Sequence, residues 1–112
     1  MKISKMVNEF AGDFIMMAET DDRKQSHLNL AVSAWNIAIL PRYQRKKAIE
    51  EYLVSFKQHN PQSNGAKNLK SDLKQLIKIK NRMFPSAGKP IVNAYLENNE
   101  GVYSVYAATI DE

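Results

Sequence analysis

The chain has 112 residues, of which 44% are hydrophobic and 25% charged, with a formal net charge of +4 and no cysteine. One domain over residues 1–112 is the simplest organisation, because a core without staples becomes difficult only below roughly 70–80 residues. The absence of cysteine excludes a disulfide scaffold and a thiolate zinc site. The longest uncharged apolar run, the thirteen residues Leu28 to Leu40, is far shorter than the about 20 needed to cross a bilayer. Asn8, Glu9 and Asp13 stand where a signal peptide would need an unbroken apolar stretch, so a cytoplasmic protein with no membrane partner is expected.

In chain order, Ile3, Met6, Val7, Phe10, Phe14 and Met17 recur at helical spacing, with Lys2, Lys5, Glu9 and Asp13 away from them. This predicts an amphipathic helix over about 2–18. Thr20 before Asp21 and Asp22 suits an N-cap followed by acidic first-turn residues, and a second helix is expected over about 21–40. Within it Asn29, Ser33 and Asn36 make one narrow polar stripe that Gln25 extends, Leu28, Val32, Trp35 and Ile39 make a large-residue face, and Ala31, Ala34 and Ala38 a small-residue face. A helix apolar over so much of its circumference belongs at the centre.

Pro41 disfavours helical geometry in the residue before it and suits the first position of a new helix. A third helix over about 41–58 follows, with Ile49, Tyr52, Leu53 and Phe56 as its buried stripe. His59 to Ala66 reads as the longest loop. A fourth helix over about 67–84 shows Leu69, Leu73, Leu76, Ile77, Met83 and Phe84 on one face and is ended by Pro85. Lys80 falls inside that face, so it must snorkel, cap the helix end or meet a carboxylate.

The period then changes to two. Val92, Ala94 and Leu96 alternate with Ile91, Asn93 and Tyr95, and Val102 to Ile110 is rich in β-branched and aromatic residues. Strands over about 90–97 and 102–110 form an antiparallel hairpin. With Asn98 to Gly101 as its loop, Leu96 faces Tyr103, Ala94 faces Val105 and Val92 faces Ala107, while Tyr95 and Tyr106 share the opposite side. Such a hairpin must lie on the helices, and both edges are expected to be open. The fold class is therefore mainly α (α+β), a compact four-helix domain followed by a C-terminal hairpin. The blocks AWNIAILP and KIKNRMFP with the closing hairpin resemble small bacterial proteins of unknown function, a likeness over residues 28–106 that implies the same four helices and hairpin and implies no activity.

No HExxH, P-loop, GxSxG or dinucleotide fingerprint occurs, and neither His27 nor His59 has a second histidine at ligand spacing. Glu19, Asp21 and Asp22 with His27 are the best candidate for a divalent ion, but capping and solvation explain them more simply. A non-catalytic protein without metal or cofactor is expected.

The uneven charge is more informative. Residues 25–41 carry no charge, residues 66–90 carry six lysines and Arg82 against Asp72 alone, and residues 91–112 carry Glu97, Glu100, Asp111 and Glu112 with no basic residue. Lys67, Lys70, Lys74, Lys78 and Arg82 form a band on helix four, and Arg42, Arg45 and Lys46 crowd the first turns of helix three, the end at which cations are disfavoured. Spacing for i, i+4 pairs from Lys46 to Glu50 and Lys47 to Glu51 offers a plainer explanation for part of that crowding. Two readings follow. The first is an interaction or assembly module that binds an acidic partner surface or joins copies of itself as a homodimer, using the hairpin edges with Tyr95 and Tyr106. The alternative is a sequence-independent nucleic-acid-binding protein that uses the basic face of helix four on phosphates.

Overall fold

The computed structural model describes residues 1–60 and 66–110, and of Ala66 and Lys67 the backbone only. Its elements are α1 (Ile3–Met16), α2 (Asp21–Ala38), α3 (Arg42–His59), α4 (Ala66–Met83), β1 (Ile91–Asn99) and β2 (Val102–Thr109). The four helices and the closing antiparallel hairpin are those that the sequence predicts. Among the described residues no helix is long and apolar enough to cross a membrane.

α2 is the central element, packing against α1, α3, α4 and β1. Its start is set by Thr20, whose hydroxyl accepts from the Arg23 amide at 3.2 Å, with Asp21 and Asp22 in the first turn where the helix dipole favours them. Leu28, Ala31, Ala34, Trp35 and Ala38 are buried. The Trp35 ring lies 5.6 Å from Phe10 of α1 and 6.3 Å from Phe84 beyond α4, and its indole donates to the Lys89 carbonyl at 2.9 Å. The chain turns at Pro41, which caps α3 with non-helical ψ of 144° rather than serving as its first residue.

α1 ends earlier than its periodicity suggests, so Met17 is exposed and Ile15 takes the buried position. On α4, Leu73, Leu76 and Ile77 are buried, whereas Met83 in the last turn is exposed.

The hairpin departs from expectation in register. Glu100 (φ 53°) and Gly101 (φ 89°) are both left-handed, the requirement of a two-residue type I′ turn. Leu96 therefore pairs with Val105, Ala94 with Ala107 and Tyr95 with Tyr106. This differs from the four-residue loop by an even number of residues, so each side chain keeps its face. A bulge between Ile91 and Asn93 does change a face. Ile91 turns into the core and Val92 out to solvent, reversing the alternation expected for those two residues.

The edges of the hairpin are not both open. The polar stripe of α2 lies along β1, where Asn36 accepts from the Ile91 amide at 2.8 Å and donates to the Ile91 carbonyl at 2.9 Å. Gln25 accepts from the Leu96 amide at 2.9 Å and reaches the Ala94 carbonyl at 3.5 Å. On the other edge the Ser4 hydroxyl of α1 accepts from the Ala107 amide at 2.8 Å and donates to its carbonyl at 3.1 Å. Side chains of two helices thus do what flanking strands would do.

Three substitutions test this arrangement. Trp35→Ala is expected to cost about 3–5 kcal/mol by leaving a large cavity. Asn36→Ala is expected to cost about 1–3 kcal/mol, because it strands a backbone donor and acceptor together, and to speed amide exchange at Ile91. Asn29→Ala, on an exposed side chain, should cost little. Denaturant titration of the three gives the comparison, and equal, small losses would contradict it.

Candidate functional site

α3 begins without a side-chain cap and without an acidic residue in its first turn. Its opening cations are instead deployed in two ways. Arg45 bends back, and its Nε donates to the Leu40 carbonyl at 3.0 Å, tying the α2–α3 corner. Arg42 and Lys46 project outward, exposed. Opposite them, Leu73, Leu76 and Ile77 anchor α4 to the core, and this anchoring fixes where its lysines emerge.

The result is a cleft of about 480 Å³ between α3 and α4, in which Arg42, Arg45 and Lys46 meet Lys70 and Lys74, with Ile49 and Glu50 completing the wall. Two basic groups that lie far apart in sequence form one concave surface. Lys78 and Arg82 are exposed but do not line it. A row at i, i+4 spacing precesses by about 40° per step, so Arg82 is rotated by about 120° from Lys70. The expected band on α4 is therefore a spiral rather than one face, and the side chain of Lys67 lies outside the described residues. Ile49 as the apolar wall of the cleft was not foreseen as part of a site, since its position at helical spacing marks it only as core.

Pairing within α3 does not explain these charges. Lys47 and Glu51 approach to 4.0 Å with both side chains well exposed, a contact of little energetic weight. Among the described residues no such contact joins Lys46 to Glu50.

Beneath this region Lys80 is 1% exposed. Its ammonium donates to the Ala87 carbonyl at 2.6 Å and sits 5.0 Å from the centre of the Trp35 ring. It neither snorkels nor caps a carbonyl of α4 itself, but clasps the segment that follows the helix. Burial, and then repulsion from Arg45, push its pKa down.

The remaining candidates have structural partners. His27 stacks on Phe14 at 4.2 Å and donates from Nδ1 to the Phe14 carbonyl at 2.7 Å. Asp21 accepts from Asn98 at 3.0 Å and from the Tyr103 hydroxyl at 2.7 Å, and these bonds hold its carboxyl below the usual carboxylate range. Tyr95 and Tyr106 are both exposed, stacked on each other at 4.9 Å on the face of the sheet turned from the helices. No family model, curated protein or solved structure matches this chain.

Lys80 yields a pH test. Because its charged form is disfavoured in the fold, the folded state binds fewer protons than the unfolded chain between the lowered value and the ordinary 10.5. Stability owed to Lys80 rises with pH through that window. Tyr52, raised by burial, and Tyr103, raised by its bond to Asp21, act in the opposite sense above pH 10. They are common to wild type and Lys80→Met, so the difference in melting temperature between the two isolates the lysine. That difference should move in favour of wild type as pH rises, and a pH-independent difference would remove the effect.

Proposed function

We propose that the protein is a non-catalytic interaction module whose α3–α4 cleft binds an acidic protein surface. The observation that carries this reading is the convergence of Arg42, Arg45, Lys46, Lys70 and Lys74 on one concave surface with Glu50 the acidic residue in its lining. Like charges gathered in a recess repel one another, and water screens them less there than on an open helix. Such an arrangement favours an anionic group that enters between the two helices. A protruding carboxylate-bearing loop fits a recess of this size better than the broad convex backbone of a duplex. A duplex would need the cations in register along a ridge, and the precession of Lys78 and Arg82 away from Lys70 denies that. The apolar wall at Ile49, and Arg45 held by the Leu40 carbonyl, supply shape and a fixed donor beside the mobile lysines.

A short oligo-glutamate peptide serves as the probe, with duplex DNA as comparison, both followed by calorimetry at low salt. The peptide is expected to bind, weakening steeply as ionic strength rises. Lys70→Glu with Lys74→Glu should abolish binding while leaving the melting temperature nearly unchanged, because both side chains are exposed and glutamate has similar helix propensity. Binding of neither probe would overturn the reading. Tighter binding of duplex, with log affinity falling against log salt at a slope of roughly −4.5 as for five phosphate contacts, would transfer the site to nucleic acid.

A further inference from the structure

The end of the molecule at the start of α2 carries the opposite charge. Glu19, Asp22, Glu97 and Glu100 are exposed there, with Arg23 the exposed cation among them. Lys24 does not offset them at the surface, since it is buried, donates to the Ala18 carbonyl and lies over the Tyr103 ring at 5.2 Å. The hairpin tip is held to this end by the bonds of Asn98 and Tyr103 to Asp21. Asn98 also accepts from the Gly101 amide at 2.8 Å, and Asn99 donates to Glu97 at 3.2 Å. A fixed, narrow, acidic projection results, with Glu100 at its apex.

Glu100 occupies a left-handed position in which asparagine, aspartate or glycine is the favoured residue. Placing a longer carboxylate there works against the turn and presents the charge at the furthest point of the hairpin. The acidic tip adjoins the first turn of α2, whereas Arg42 follows the last turn of the same helix. The 18 residues of α2 set about 27 Å between those ends at 1.5 Å per residue. The tip and the cleft therefore cannot meet within one molecule.

Accepting that the cleft binds an acidic protein surface, we propose that its occupant is the hairpin tip of a second copy of this chain. Glu97 and Glu100 of one copy enter between α3 and α4 of the next, against Lys70, Lys74 and Arg42. With tip and cleft at opposite ends of α2, the proposed contact is heterologous and repeats head to tail, in place of a two-fold dimer through Tyr95 and Tyr106. Its charged character makes the assembly concentration-dependent and salt-sensitive.

Sedimentation at low salt with two complementary variants tests the proposal. A tip variant carries Glu97→Gln and Glu100→Asn, and a cleft variant carries Lys70→Gln and Lys74→Gln. Wild type is expected to form a size series that grows with concentration and dissolves at high salt. Each variant alone should be monomeric, and an equimolar mixture should stop at a pair, since the tip variant retains a cleft and the cleft variant retains a tip. The tip variant should also melt slightly higher than wild type, because asparagine suits the turn better than glutamate. Wild type remaining monomeric throughout, either variant assembling like wild type, or assembly abolished by Tyr106→Lys but not by the tip substitutions would each overturn the proposal. Oligo-glutamate titrated into the tip variant separates the two levels. Binding without wild-type assembly removes the second copy and leaves the cleft, whereas no binding removes both.

Discussion

A two-stranded sheet leaves half of its backbone hydrogen-bonding groups pointing away from the partner strand, and among the described residues no third strand receives them. A hairpin alone is at best marginally stable in water. The structure depends on how that requirement is met. Asn36 and Gln25 of α2 satisfy β1 from one side, and Ser4 of α1 satisfies β2 from the other. Each of these side chains supplies both a donor and an acceptor at nearly the spacing of a ladder, so the hairpin is pinned to the helices by direction as well as by apolar contact. This explains why α2 can be apolar around most of its circumference and still keep a polar stripe. Two members of the stripe, Gln25 and Asn36, are committed to the sheet, while Asn29 stays exposed.

The position of the hairpin follows from the same contacts. With β1 aligned along α2, the turn arrives at the start of that helix, where Tyr103 and Asn98 meet Asp21. The uncharged stretch of α2 from residue 25 onward then separates an acidic end from a basic one. The carbon-rich interior admits the ammonium of Lys80 only because the Ala87 carbonyl and the Trp35 ring receive it. Charge asymmetry that looks like a property of sequence segments becomes a property of the molecule's ends, with α2 as the spacer.

The sequence made the helices and their order legible because the signals are local. Thr20 with two aspartates, Pro41 and Pro85 mark boundaries that need no tertiary information. The hairpin was legible in face but not in register, since Glu100 gives no hint that it adopts the left-handed conformation that makes a two-residue turn. The inward turn of Ile91 was hidden for a related reason, because a bulge breaks the very alternation from which it would be read. Gln25, Asn36 and Ser4 were visible as polar residues on helices, yet their partners lie more than fifty residues away. The cleft was legible only in halves. The cations of α3 and of α4 could each be named, but their meeting depends on how the two helices cross, and the precession of Lys78 and Arg82 away from it depends on which residues of α4 the core takes.

The cleft and the core share an electrostatic cost. Burial depresses the pKa of Lys80 most, and repulsion from Arg45 adds to it; Arg45 is itself one of the cations gathered with Lys70 and Lys74. Each added positive charge raises the energy of the others, and the lining offers Glu50 alone in compensation. A surface selected only for solubility would disperse these charges, as the exposed Lys78 and Arg82 are dispersed. Concentrating them beside a buried ammonium adds repulsion that a dispersed arrangement would avoid. An anionic group of the proposed kind, on entering the cleft, would lower the potential felt by Arg45 and Lys80 alike, so its affinity would draw on repulsion already built into the fold.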